Sequence, residues 1–353
     1  MLCNRGVAVA LICGSISAFI GLASAQIYQS PTAFVHQKKY VMGTVFEIAA
    51  HADTSAQGSK AIDEAFREIV HLDALMSDYK DDSALSRLNH SAHLQPEPVP
   101  NDLYRVIDES LYYSRLSGGK FDITVGSLVN LWKAAIRGGH IPSALEEEKL
   151  RNCVGYQKLE LLPPDRIKFR SSCVQIDLGA IGKGYALDRA AEVLRSFGIS
   201  RALLNAGGST VLAMGAPPGQ AAWPVHLRDP SNRLDPEVML RDNSVSTSEQ
   251  TPPSLLSEEV TGHIIDPDNG LPLKTIFAVS VTAKTATASD ALSTTLLLVG
   301  PEKGEELVKS VPDVAAIWIS ADGRSGMASS GPQILLPHQG VAKNFKAKPN
   351  DVH

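Results

Sequence analysis

The sequence predicts a mixed fold of helices and strands, built as one large domain or as two lobes sharing a core. Two observations predict it. Apolar residues recur at helical spacing in some stretches and run continuously through short segments in others, with Gly, Pro, Asn and Asp between them. No internal repeat or low-complexity tract interrupts this succession, and the chain left after its amino-terminal leader is long enough to bury a sizeable core.

The leader is the first element. Arg5 precedes an apolar run from Val7 to Leu22 and the small residues Ala23-Ser24-Ala25, the pattern of a secretory signal peptide cut after Ala25. The run is short for a membrane-spanning helix. An exported, periplasmic product is therefore expected, peripheral to a membrane at most, with a retained anchor the lesser alternative. Of four cysteines, cleavage leaves Cys153 and Cys173, which an oxidising compartment would allow to pair if the fold brings them together. A formal net charge of −5 offers no basic field, so no nucleic-acid partner is expected.

Residues 26–38 read as a leader into the fold, 39–340 as the domain and 341–353 as a polar tail. Tyr40 to Ala50 reads as a strand interrupted by Met42-Gly43-Thr44. From Ser55 to Met76, Ile62, Phe66, Ile69, Leu72 and Met76 mark one helix face. Ser83 to Asn89 is a short helical turn, and Asn101 is placed to cap a helix that buries Leu103, Val106, Ile107 and Leu111. Gln175 to Asp177 reads as a strand that turns through Gly179, Gly182 and Gly184 into a helix carrying Leu187, Ala190, Ala191, Leu194 and Phe197. Further strands are expected at Ala202–Leu204, Thr210–Met214, Trp223–Leu227, Gly262–Ile265, Ala278–Ala283 and Val314–Ile319. Asp229 to Glu259 reads as loop-rich, and an apolar helix follows Ser289.

Several residues could carry chemistry. Glycines at a strand-to-helix turn let backbone N–H groups approach an anion, and Lys183 among them adds a charge suited to phosphate. The same glycines could simply make tight turns. Asp290 and Thr294, four apart on a helix, present two oxygens to one side and suit a hard divalent cation such as magnesium; the alternative is an Asp that caps the helix. Asp177 could bind a ribose or ring N–H. His263 could move protons near neutral pH, although a lone histidine is more often structural. Asp122, after Ser117-Gly118-Gly119-Lys120-Phe121, is either functional or a cap for the next helix.

Taken in order, MGT (42–44), SDYKDDSALSRLN (77–89), SGGKFDITVGSLVNLW (117–132), DLGAIGKGYALD (177–188), LLNAGG (203–208), HIIDPDNG (263–270) and SDALSTTLLLVG (289–300) resemble the ApbE family of FAD:protein FMN transferases. The resemblance covers roughly residues 40 to 300. It implies an α+β domain with mixed or antiparallel sheets flanked by helices. It also implies a magnesium-dependent reaction that cleaves FAD and joins FMN to a Thr or Ser hydroxyl of an acceptor flavoprotein in a membrane redox complex, releasing AMP. By the same resemblance the cation would be held by Asp290, Thr294 and the Ala180 carbonyl. Flavin contacts would fall to Met42, Tyr79, Lys120, Phe121, Asp122, Asp177, Lys183 and Ile264, and the hydroxyl proton to His263 or Asp177. Where the family has Thr-Ser-Gly and an aromatic, this chain has Thr247-Ser248-Glu249-Gln250. The alternatives are a magnesium-dependent FAD pyrophosphatase and a non-catalytic FAD-binding protein.

Overall fold

The computed structural model describes residues 32–250, 264–331 and 334. The cleavage site after Ala25, the tail from residue 341 and His263 lie outside the described residues.

β1 (Ala33–Val41) and β2 (Thr44–Ala52) form an antiparallel hairpin. The interruption read at Met42-Gly43 is its turn, with φ of 52° and 73°, the paired positive values that tight hairpins favour. β1 begins inside the stretch read as leader. It is an edge strand with His36, Lys38 and Lys39 exposed, so the apolar alternation that marks a strand is missing. α1 (Ser55–Met76) is the helix its periodicity predicts, capped by the Thr54 hydroxyl, with Ile62, Phe66, Ile69, Leu72 and Met76 buried. α2 (Ala84–Ser91) is capped by Ser83. β3 (Glu97–Pro98) leads to α3 (Asn101–Leu116), where Pro100 holds the cap position and Asn101 is the first helical residue rather than the cap. α4 (Gly126–Arg137) and α5 (Ala144–Arg151) follow, the latter closed by a Ser143–Glu146 capping box. β4 (Leu159–Leu162) and β5 (Arg166–Phe169) join β3 in a small sheet ordered β3-β5-β4.

The carboxyl-terminal half comprises α6 (Gly182–Ser196), β6 (Arg201–Ala206), β7 (Thr210–Met214), β8 (Trp223–His226), β9 (Glu237–Leu240), β10 (Ser244–Glu249), β11 (Phe277–Ala283), α7 (Ala286–Ser310), β12 (Ala315–Ser320) and β13 (Ser325–Ser329). Three expectations shift here. Gln175 makes only an isolated bridge to Val125, so Asp177 is delivered by a loop and not by a strand. Ile265 likewise makes one bridge, to Pro272. The loop-rich segment contains β9 and β10.

Eight strands form one antiparallel sheet in the order β1-β2-β6-β7-β10-β11-β12-β13. Alternation along β7 and β12 sorts side chains to its two faces. Leu212, Met214, Ala316 and Trp318 join the main core with buried residues of α1, α6 and α7. Val211, Ala213, Ile317 and Ile319 join a second core with Trp223, Val238 and Leu240 of the β8–β9 pair. The α+β class with antiparallel sheets is what the structure has.

Candidate active site

The site begins where α6 crosses α7. The two helices approach so closely that a Cβ at Gly184 would lie 2.2 Å from the Ala286 carbonyl oxygen, so only glycine fits. That approach lets the Gly184 N–H donate to Asp290 Oδ2 at 2.9 Å. One turn later Asp188 accepts from the N–H groups of Ala286 and Thr287 at 2.9 and 2.8 Å, tying down the first turn of α7. Asp290 lies inside α7, whose cap is Thr285, so it is not the helix cap. Its Oδ1 accepts from the hydroxyls of Thr210 (3.3 Å) and Ser246 (3.4 Å). Thr294, one turn on, has its Oγ1 3.1 Å from Ser248 Oγ. Both residues are buried, at 4% and 8% exposure. Among the described residues Asp290 pairs with no basic side chain; its partners are neutral donors.

Of these residues Asp290, Thr294 and Ser248 form one wall of a cavity of about 300 Å³. A second wall is held by a clasp of three loop segments. Asp177 N–H donates to the Ile123 carbonyl at 2.8 Å and Gly126 N–H to that of Gln175 at 3.0 Å. Asp122 accepts from Thr124 N–H (2.8 Å), Thr124 Oγ1 (2.7 Å) and Tyr156 N–H (2.7 Å). Burial raises its pKa, and those hydrogen bonds offset only part of the rise. Asp122 thus ties two loops together and does not cap α4, whose cap residue is Val125. A disulfide joins Cys153 to Cys173, with Cα atoms 5.3 Å apart, just outside the hydrogen-bonded clasp.

Asp177 and Lys120, in the cavity lining, each have a partner of opposite charge. Asp177 accepts from Gly179 N–H at 2.7 Å and lies 3.9 Å from Lys133 Nζ. Lys133 also donates to the Tyr79 hydroxyl at 2.5 Å and sits over the Tyr79 ring. Burial opposes the Lys133 charge, but Tyr79, Asp177 and Asp78 outweigh it and hold the amine above the ordinary lysine value. Lys120 pairs with Asp266 at 2.9 Å and Asp268 at 2.8 Å. Lys183 folds back onto the Gly179 carbonyl at 3.2 Å.

The ApbE family profile matches residues 42–318. The chain belongs to the ApbE family. It is 30% identical over 341 residues to the FAD:protein FMN transferase of Treponema pallidum, covering 90% of this chain and 91% of that one. It is 32% identical over 271 residues to the enzyme of the same name from Escherichia coli K12, covering 74% and 77%. Among solved structures, the flavin transferase ApbE from Vibrio cholerae is similar with a TM-score of 0.73 at 26% identity, over 85% of this chain and 98% of that chain. The apo flavinyl transferase ApbE from Pseudomonas stutzeri gives 0.74 at 26% identity, over 85% and 96%.

Nine residues nominated from the ApbE motifs line this cavity: Lys120, Phe121, Asp122, Asp177, Ala180, Lys183, Ile264, Asp290 and Thr294. Met42 and Tyr79 are not in its lining. Met42 packs half-buried against the main core, and Tyr79 is 73% exposed beside Lys133. His263 lies outside the described residues. The three glycines do not form one phosphate cradle: Gly179 is in a turn closed by Asp177, whereas Gly182 and Gly184 are already in α6. Sequence reasoning missed Lys133, and Arg228, which lines the cavity and pairs with Glu249. It also missed the hydroxyls of Thr210, Ser246 and Ser248 that surround Asp290 and Thr294. Ser and Thr at alternate positions of 244–248 were the available signal, since alternation puts them on one face of a strand.

Proposed function

We propose that this ApbE-family chain is an FAD:protein FMN transferase that uses magnesium, joins FMN to a Thr or Ser hydroxyl of an acceptor flavoprotein and releases AMP. One observation carries the reading. A buried carboxylate, Asp290, faces the cavity with neutral donors for partners, in a lining that also includes Thr294 and Ala180. A buried charge without a counter-charge is costly, and a cation in the cavity would relieve that cost.

The residues fit magnesium in kind. Among the described residues no three His, Cys, Asp or Glu side chains form a metal-binding group, so the ion would rest on one carboxylate with hydroxyl and carbonyl oxygens, leaving further positions to water and phosphate. When bound, magnesium would neutralise charge on the pyrophosphate of the substrate. The protein's own work is positioning. Ile264, Phe121 and Asp177 would hold the flavin end, and Lys183 a phosphate. The acceptor hydroxyl oxygen bonds to the FMN phosphorus, the bond from that phosphorus to the AMP phosphate oxygen breaks, and AMP leaves with the bond's electrons. The hydroxyl proton passes to Asp177, in the cavity wall, or to His263, next in sequence to Ile264.

The Cys153–Cys173 disulfide supports export, because such bonds persist in oxidising compartments. The acceptor would then be a periplasm-facing flavoprotein subunit of a membrane redox complex. Incubating the protein with FAD, magnesium and an acceptor domain bearing a flavinylation sequence tests the reading by intact mass. Covalent gain of FMN, lost with chelator, is the expected result. AMP release at the same rate with and without acceptor, and no covalent FMN, would replace transfer with hydrolysis.

A further inference from the structure

We infer that Gln250 is a positioning residue of the substrate pocket, its side-chain amide taking the place of a β ladder to fix the wall that carries Ile264. The inference rests on the transferase reading for the identity of the ligand, FAD.

Gln250 follows β10 directly, one residue past the last β10–β11 pair, Glu249 with Ala278. It is polar and outside a strand, yet only 6% exposed. Its amide is engaged on both sides. Oε1 accepts from Ile264 N–H at 2.6 Å, and Nε2 donates to the carbonyls of Ile264 at 2.9 Å and Leu273 at 2.7 Å. The side chain thus takes both main-chain groups of Ile264, as a neighbouring strand would, and the amide's donor-plus-acceptor makeup is what that task requires.

The segment it grips is otherwise held from the far end. Residues 264–273 fold on themselves through Leu273 N–H to Ile264 O and Asp266 N–H to Leu271 O, both at 2.9 Å. Lys120 anchors Asp266, and the Trp132 indole N–H donates to the Gly270 carbonyl at 3.0 Å. Among the described residues no ladder pair joins this segment to the main sheet. At the near end, where Ile264 lines the cavity, the Gln250 amide makes the connection. Two residues earlier the same strand places Ser248 against Thr294. Gln250 therefore sets the distance between the wall that would take the flavin and the wall that would take the cation.

The test uses the full chain with Gln250→Met, which keeps length and loses all three hydrogen bonds, and Gln250→Glu, which keeps shape and turns an oxygen toward two carbonyls. FAD affinity is read by quenching of flavin fluorescence at a temperature where circular dichroism shows each variant folded. Both variants are expected to bind FAD about tenfold more weakly, because buried main-chain groups lose partners and the wall shifts. In the transfer assay KM for FAD rises by the same factor while kcat stays within about threefold, since Asp290 and Thr294 keep their own supports; a merely structural role would not split the two constants in this way. Affinities of both variants within twofold of the parent overturn the proposal. If the parent binds FAD and the variants bind it weakly but no FMN is transferred, the transferase reading falls and the positioning role stands. A parent chain without affinity for FAD overturns both.

Discussion

The two walls of the cavity treat negative charge in opposite ways. On the α6–α7 wall, Asp290 is 4% exposed and is met by one backbone N–H and two hydroxyls. On the loop wall, Asp177 has Lys133 and Asp266 has Lys120 within ion-pair distance. The first arrangement leaves charge uncompensated where water is scarce, so it gains most from an incoming cation. In the second, carboxylates already face lysines before any ligand arrives, and those lysines must be shared if phosphate or flavin oxygens enter. One wall is prepared for an ion and the other for a polar organic ligand.

Asp290→Asn breaks this contrast most directly. The substitution keeps the size of the side chain and an oxygen for the Gly184 N–H but removes the charge. If the wall is built for a divalent cation, FMN transfer falls by about 10²–10³-fold, corresponding to several kcal/mol of lost charge stabilisation. Manganese binding by titration calorimetry is lost along with it, whereas the fold melts at or above the parent temperature because an unpaired buried charge is gone. Transfer within tenfold of the parent would show that the walls do not divide the work in this way.

The loop wall has a covalent element that the helix wall lacks. The Cys153–Cys173 bond spans 20 residues and joins the segment held by Asp122 to the one delivering Asp177. Replacing both cysteines by serine is expected to cost about 3 kcal/mol of stability, seen as a lower urea midpoint. Reductant should reproduce the loss in the parent and leave the double variant unchanged. Equal midpoints with and without the bond would mean that the hydrogen-bonded clasp sustains this wall alone.

The same division governs what could be read in advance. The apolar period of α1 and the continuous runs of β7 and β12 announce themselves because those elements face a greasy core. β10 carries Ser-Val-Ser-Thr-Ser-Glu, and its Ser246 and Ser248 face the site rather than the core. A central strand that lines a polar cavity loses the pattern that identifies strands, so the sequence reads as loop where the site is richest. Asp290 and Thr294 were legible from their helical spacing, since one helix fixes their relation. Lys133 was not, because its partners Tyr79 and Asp177 come from separate stretches of chain. The disulfide is similar: two cysteines could be seen, but their meeting depends on the loops around Asp122 and Asp177.

A smaller change sharpens the account of the charges around Asp177. Burial and the neighbouring Asp177 carboxylate raise the pKa of Asp78, with Lys133 offsetting part of the rise. The folded state therefore holds this proton more tightly than the unfolded chain. The stability so gained is fully present below the unfolded value, near about 3.9, and is lost as pH rises through the higher folded value. Asp78→Asn removes the ionisation, so it should raise the melting temperature by a few degrees at about pH 7 and make no difference below about pH 3.5. A variant that melts lower at neutral pH would mean that Lys133 favours Asp78 more than Asp177 disfavours it. The lysine would then be neutralised twice over, and it would be less open to anions than the Lys133–Asp177 pair alone implies.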